Sequence, residues 1–401
     1  MLLQSEVISR LDVAQGQHNL RTKVLISALS ARQGGGQTYL TGLLDELTEE
    51  MPIEVFVLAP DSLALPSGRS NVHRIRARWP VEHPVTRALW QKVHLPRLAR
   101  RLQVDVLFCP GGLIGARVPR NCRIVATFQN MMPFDLAQRK RYPLGYTRAR
   151  NWLLKGLMLR GMAKADKVIC ISEFGRQVIE NHAPELMGKT AVIRHGVGVA
   201  FRKERLPRPE WLPKGRYILY VSILDVYKAQ LEVLRAFALV KQRRATTEKL
   251  VFAGPQTPYY TKKVRKEIER LGLEENVVLA GAVPYSQLPP LYQNALINLF
   301  ASECENCPNI LLEALASGRP LFASNRAPMP ELGGDGAVYF NPADPAELAE
   351  KLVGVIDNPA RLEELAEKAR TRSELYDWEE SARITWTTIG ELASAPAAAQ
   401  N

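Results

Sequence analysis

ALINLFASECENCPNILLEALASGRP, residues 295–320, is the stretch that decides the fold. ALINLF (295–300) is a short apolar run that reads as a buried parallel strand. A polar loop follows, and then a helical segment. Pro308 fits its first position, where the missing N–H is no loss, and Gly318 with Pro320 ends it. The unit is therefore strand, loop, helix. Glu305 falls in the loop, and Glu313, after an interval of seven residues, falls in the second helical turn. Glu313 is the one charge between Pro308 and Gly318, set amid Ile310, Leu311, Leu312, Ala314 and Leu315. A carboxylate in such surroundings needs donors, which a pair of ribose hydroxyls would supply. The unbonded amides at a helix start favour an anion such as a diphosphate. Together these features outline a nucleotide-sugar site.

Working outward, apolar runs recur at the spacing of repeated strand–helix units. The first half offers KVLISAL (23–29), IEVFVLA (53–59), VDVLF (104–108), RIVATF (123–128), KVICIS (167–172) and TAVIRH (190–195). The second offers YILYVS (217–222), KLVFAG (249–254), NVVLAG (276–281), ALINLFA (295–301), PLFAS (320–324) and AVYF (337–340). Helical segments separate most of them, which predicts an α/β protein with two parallel sheets covered by helices. FRKERLPRPEWLPKG (201–215), rich in Pro and charge, reads as the hinge, and residues 1–20 and the tail ASAPAAAQN read as loosely ordered.

Composition narrows the class. The 401 residues suit two or three domains, and 46% hydrophobic with 23% charged residues is ordinary for a globular protein. Five scattered cysteines, an odd number, point to a reducing compartment. The N-terminus lacks the basic start and apolar stretch of a signal peptide, and no run reaches the length of a spanning helix, so a cytoplasmic location is predicted. The net charge of +12 is uneven: residues 69–164 carry 20 basic against 3 acidic side chains, whereas residues 201–401 are nearly neutral.

The spacing of Glu305 and Glu313 resembles the E-x7-E signature of glycosyltransferase family 4, the retaining GT-B enzymes. The resemblance extends to ARQGGGQTYL (31–40), ICISEFGRQVI (169–179), VIRHGV (192–197), YILYVSILDVYKAQ (217–230) and YDWEESA (376–382). It implies two Rossmann-like doubly wound domains facing across a cleft. Residues 1–200 would bind the acceptor and residues 201–376 the nucleotide sugar, with a C-terminal helix and tail over 377–401 packing back on the first domain.

The resemblance also assigns roles by position. Glu305 would bond a sugar hydroxyl, Glu313 the ribose, and Asn306, Cys307, Pro308, Asn309, Ile310 and Leu311 would offer backbone amides to sugar and phosphate. Lys228, after the strand YILYV, would place a point charge over the diphosphate, with Ser222 adding a hydroxyl. Many members carry an Arg where Ile223 stands. Val283 matches the main-chain contact to the base. Gly34, Gly35 and Gly36 allow close backbone approach of a phosphate or sugar at a helix start, with a plain flexible turn as the alternative reading. Gln129, with Asn130 beside it, stands where the family often has a His. It cannot titrate, so it would orient the sugar while the departing phosphate oxygen takes the acceptor proton.

Cys304 and Cys307 form C-x-x-C, but no second pair completes a tetrahedral metal site, and the chain contains no D-x-D, so neither metal nor cofactor is expected. Basic stretches carrying Trp79, Trp90 and Trp152 suggest an anionic membrane surface as partner, with Arg139, Lys140, Arg141 and Trp152 on the face that meets it. The expectation is thus a metal-independent, retaining transferase, peripheral on the inner face of the cell membrane. It would move a sugar from a UDP or GDP donor, GDP-mannose type favoured, to a lipid-linked or polysaccharide acceptor. A phosphorylase or synthase with a soluble acceptor is one alternative. A basic nucleic-acid-binding protein is another, though no nucleic-acid motif supports it.

Overall fold

The computed structural model describes residues 21–31, 34–77, 81–115, 118–203 and 205–395. Expectations for residues 1–20, for Trp79 and for the tail beyond Ala395 lie outside the described residues.

Seven strands form the first sheet: β1 (Thr22–Ser27), β2 (Ile53–Leu58), β3 (Val72–Ile75), β4 (Val106–Cys109), β5 (Arg123–Phe128), β6 (Lys167–Cys170) and β7 (Thr190–Val192), in the order β3-β2-β1-β4-β5-β6-β7. Six form the second: β8 (Tyr217–Val221), β9 (Lys249–Ala253), β10 (Val277–Gly281), β11 (Ile297–Phe300), β12 (Leu321–Ser324) and β13 (Val338–Phe340), in the order β10-β9-β8-β11-β12-β13. Renumbered from its own first strand, the second sheet reads 3-2-1-4-5-6, the order of the doubly wound Rossmann sheet, and all its pairs are parallel. The first sheet follows the same order with one strand more. The protein has the GT-B fold, two Rossmann-like parallel-sheet domains.

Continuous apolar sequence produces these strands because helices cover both faces of a parallel sheet. Every residue of β8 (YILYV) and β11 (INLF) is buried. They sit side by side at the centre of the second sheet, where Tyr220 meets Phe252 and Phe300. Chain ends at this sheet need glycine. Gly254 has φ +151°, and a Cβ there would lie 2.1 Å from the carbonyl oxygen of Ser222, so any side chain would push the ends of β8 and β9 apart.

By contact density the chain forms two compact units. One runs to Thr127 and adds Lys164–Val168 and the chain from Ala382; the other holds Phe128–Ala163 and Ile169–Ser381. In the first, Trp386 is buried and its indole N–H donates to the carbonyl of Leu43 at 3.0 Å. The C-terminal helix Trp378–Ser394 runs two residues into the tail read as loose. The second unit contains the whole of the second sheet together with the helices Leu136–Arg141 and Tyr146–Ala163.

Candidate functional site

β11 ends at Phe300, and the loop it feeds leads into the helix Asn309–Ala316. Pro308 is the residue before that helix, one place earlier than the sequence suggests. Its fixed φ still suits the entry, and assignments of helix ends vary by this much. Gly318, at φ +62°, terminates the segment in the left-handed conformation that glycine adopts without strain.

Glu305 accepts hydrogen bonds from Lys228 Nζ and from Ser302 Oγ. Lys228 ends a one-turn 3-10 helix, Val226–Lys228, opened by Asp225, whose carboxylate accepts the Val226 N–H at 2.7 Å. The lysine is only 4% exposed. Its ammonium lies 4.8 Å from the centre of the Tyr227 ring and 5.2 Å from that of Phe300. Two aromatic faces and one carboxylate compensate for lost water, which keeps a charged lysine tolerable at this depth. The residues expected to hold phosphate and sugar thus hold each other.

Glu313 lies in the second turn of that helix, buried, with Tyr292 Oη donating to its Oε2 at 3.1 Å. Burial raises its carboxyl to about 7, and the Tyr292 hydroxyl offsets only part of that rise. Among the described residues no cation pairs with it. Such a carboxylate gains most from further hydroxyl donors.

Asn306 does something the sequence did not reveal. Its side chain turns away from Glu305 and is fully used by the protein: Ser172 Oγ donates to Oδ1 at 2.7 Å, and Nδ2 donates to the carbonyls of Phe128 at 2.8 Å and Gln129 at 3.4 Å. A Cβ on Gly175 would come within 2.3 Å of the Asn306 Oδ1, so the glycine of the run ICISEFG makes room for this clasp. The loop bearing Glu305 is thereby fastened to the segment bearing Gln129. Nearby, His195 stacks on Trp378 with centroids 5.6 Å apart and bonds Asn309 Oδ1 through Nδ1 at 2.7 Å. Burial drives the imidazole down to about 4, which keeps it neutral at physiological pH. This contact is why the distant runs VIRHGV and YDWEESA belong to one site.

Of the remaining candidates, Gln129 is half-buried at the end of β5, and its Nε2 is buried without a hydrogen-bond partner. Asn130 is exposed. Ser222 is buried, its Oγ accepting from Gln230 Nε2 at 2.9 Å; the same amide donates to the carbonyl of Ile223. Val283 is half-buried after β10, and Ile310 and Leu311 form the first turn of the helix. Cys304 and Cys307 are buried free thiols; burial pushes Cys307 up to about 12 and Cys304 well above its ordinary value, so neither is a thiolate. Among the described residues no three His, Cys, Asp or Glu are grouped to hold a metal ion.

In the other unit, Gly34 at φ +67° precedes the helix Gly35–Asp45, whose first turn holds exposed Gly35 and half-buried Gly36.

One residue of the expected membrane face is placed differently. Arg141 forms an ion pair with Glu303 and donates to Gln138 Oε1 at 3.0 Å, while the adjacent Tyr142 donates to Asp225 at 2.9 Å. Two acceptors on the loops that follow β8 and β11 capture this end of the helix. Arg139 donates to the Pro133 carbonyl at 3.2 Å, Lys140 is exposed, and Trp152 is 69% exposed on the helix Tyr146–Ala163, beside exposed Leu153 and Leu157. Tyr292 and Ser302 were not singled out from sequence. The tyrosine inside the short LPP-containing helix was the available signal.

Two family descriptions match the chain in succession: Glycosyltransferase Family 4 over residues 33–201 and Glycosyl transferases group 1 over residues 202–372. The chain belongs to the family 4-type glycosyltransferases. Among curated relatives, the glycogen synthase of Mycobacterium tuberculosis is 27% identical over 240 residues, 59% of this chain and 54% of that protein. The MMP alpha-(1->4)-mannosyltransferase of Mycolicibacterium hassiacum is 30% identical over 174 residues, 42% of this chain and 41% of that one. The chain thus spans about half or less of the length of these relatives. Anabaena HepE, crystallised with UDP and glucose, superposes with a TM-score of 0.70 at 15% identity, covering 94% of this chain and 100% of that one, a likeness of fold.

Proposed function

We propose that the protein is a retaining, metal-independent glycosyltransferase that moves a sugar from a nucleoside-diphosphate donor to a lipid-linked or polysaccharide acceptor. The observation that carries this reading is the Lys228–Glu305 pair beside the buried Glu313 at one helix start. A donor diphosphate would take the Lys228 ammonium and the amides of Asn309–Leu311, releasing Glu305 to a sugar hydroxyl while Glu313 receives the ribose. Gln129, with its unpaired Nε2, would orient the sugar. The bond from the anomeric carbon to the phosphate oxygen breaks, the acceptor oxygen bonds the same face of that carbon, and the departing phosphate oxygen takes the acceptor proton. No side chain with a matched pKa is then required.

A UDP donor is supported by the nucleotide in the HepE crystals, and a GDP-mannose-type donor by the mannosyltransferase relative and the run YVSILDVYKAQ. The latter is favoured. For the acceptor, the exposed Trp152, Leu153 and Leu157 on a basic helix support an anionic membrane surface at the cytoplasmic face. In the other unit, a cavity of about 700 Å³ lined by Lys92, Arg100, Arg120 and Lys164 with apolar Ile114 and Val118 suits a phosphate-bearing lipid carrier. Among the described residues no helix is long and apolar enough to cross a membrane. A soluble glucan acceptor is the second reading, favoured by the glycogen synthase relative. The test is turnover of a panel of UDP- and GDP-sugars in EDTA with lipid-linked and soluble acceptors, followed by NMR of the product linkage. Retained anomeric configuration is expected; inversion would contradict the mechanism.

A further inference from the structure

Two tryptophans are exposed among the described residues, Trp152 at 69% and Trp211 at 45%. Trp152 stands on the basic helix Tyr146–Ala163, and Trp211 keeps different company. It lines an open cavity of about 640 Å³ with Pro209, Glu210, Ser286, Gln287 and Pro290, none of them a cation, in a chain of net charge +12. Glu210, Ser286 and Gln287 are exposed, and among the described residues no side-chain hydrogen bond or ion pair occupies them. They present a carboxylate that accepts, with a hydroxyl and an amide that both donate and accept. The two walls are stitched together. One belongs to residues 201–215, rich in proline and charge, the other to the 3-10 turn Tyr285–Gln287 and the helix Leu288–Asn294. Gln293 accepts from the Leu206 N–H at 3.0 Å and donates to the Lys203 carbonyl at 3.1 Å. Asn294 donates to the Leu206 carbonyl and accepts from Arg205 Nε, both at 3.0 Å. Leu212, next to Trp211 in the chain, is buried, and its N–H donates to the Pro209 carbonyl at 3.2 Å. Pro209 and Pro290 fix φ on either side. A site assembled before its ligand arrives gives up little entropy on binding.

We propose that this cavity binds a neutral oligosaccharide. A pyranose ring has a face of C–H groups, which covers the exposed indole of Trp211, and a rim of hydroxyls, which meets Glu210, Ser286 and Gln287. An aromatic platform with a few free polar groups is the usual composition of a small-molecule site, and this cavity falls within the usual size range. A phosphate or an anionic lipid would meet the Glu210 carboxylate with no cation in the lining to offset it. The open form suits several linked sugars better than one enclosed ring. None of the lining residues belongs to the donor site, so the cavity holds a glycan chain whether or not a nucleotide is bound.

The experiment is titration of the full chain, without nucleotide, with maltoheptaose and with an α-linked mannohexaose, read by tryptophan fluorescence and by ligand-observed NMR. The wild type should bind at least one of them with a Kd of roughly 0.1–1 mM, the range open to one stacked ring and a few hydrogen bonds. Trp211→Ala, first confirmed folded by its melting curve, should weaken this binding about tenfold or more, as loss of an aromatic anchor does. Gln287→Ala should weaken it severalfold, and Trp152→Ala should leave it unchanged. Trp211→Ala should also keep wild-type affinity for UDP and GDP. A wild type that binds neither oligosaccharide at about 10 mM, or a Trp211→Ala protein that binds as the wild type does, overturns the proposal. A Trp211 response to phosphatidylglycerol vesicles and to neither oligosaccharide overturns it as well. A wild type that binds oligosaccharide but no nucleotide would contradict the donor reading alone, because these titrations contain no nucleotide.

Discussion

Replacing Lys228 by methionine removes one charge from a buried pair and little volume. Glu305, with 14% of its side chain exposed, would keep only Ser302 as a partner. Two unit charges about 3 Å apart at an effective dielectric near 20 attract by roughly 5–6 kcal/mol, and desolvation already offsets part of this. Breaking a buried pair by removing one partner costs about 3–5 kcal/mol. At roughly 2–4 °C per kcal/mol for a unit of this size, Lys228→Met should lower the melting temperature by about 10 °C. Neutralising the orphan as well, in Lys228→Met with Glu305→Gln, should recover most of that loss, since the penalty came from an uncompensated carboxylate. Neither variant should regain wild-type nucleotide affinity, because the ammonium that meets the phosphate is absent from both. Scanning calorimetry of both singles and the double reads the coupling. A Lys228→Met protein that melts with the wild type, or a double variant that loses the sum of the singles, would refute the pairing argument. Full nucleotide affinity in Lys228→Met would refute the phosphate role.

Other consequences follow from the same geometry. Glu313, raised to about 7, stays protonated in the native state between about pH 4.5 and 7, where the unfolded chain has released its proton; stability should fall as pH rises through that window, and Glu313→Gln should remove the slope in melts. Because ribose hydroxyls donate to the anion, nucleotide affinity should rise with pH up to about 7 and level off above it. Titrations on Glu313→Gln should lack this rise. Co-sedimentation with phosphatidylglycerol vesicles should fall with salt, as the screening length shrinks to about 3 Å at 1 M. It should fall also in Trp152→Ala and Lys140→Ala, whereas Arg141→Ala should disturb Glu303 and the donor loops instead. Indifference to anionic vesicles at low salt would favour a soluble acceptor.

The sheets were largely legible in the sequence. All twelve apolar runs became strands, because strands covered on both faces read as continuous hydrophobic segments. β3 escaped notice: VHRI lies at the edge of its sheet, is only half-buried, and carries His73 and Arg74, so it shows no apolar run. The site was legible in its local part, Glu305 to Glu313, where spacing along one loop and helix fixes the arrangement. What was hidden depends on side chains meeting across long stretches of chain. Asn306 reaches Ser172 and Phe128, separated from it by 134 and 178 positions, and no local pattern announces such a clasp. Arg141 looked like one basic residue among many, and only the fold brings Glu303 to it. Tyr292 reads as an ordinary aromatic until its hydroxyl is found on a buried carboxylate.

The central claim is a nucleoside-diphosphate site built from Lys228, Glu305 and Glu313. Calorimetric titration of the full chain with UDP and with GDP, in EDTA at pH 8, tests it most directly. One of the two nucleotides should bind with a stoichiometry of one, and Glu313→Ala and Lys228→Met should each weaken it by roughly ten- to a hundredfold, the loss of a charge-assisted bond. Unchanged affinity in both variants, or a wild type that binds neither nucleotide, would contradict the account.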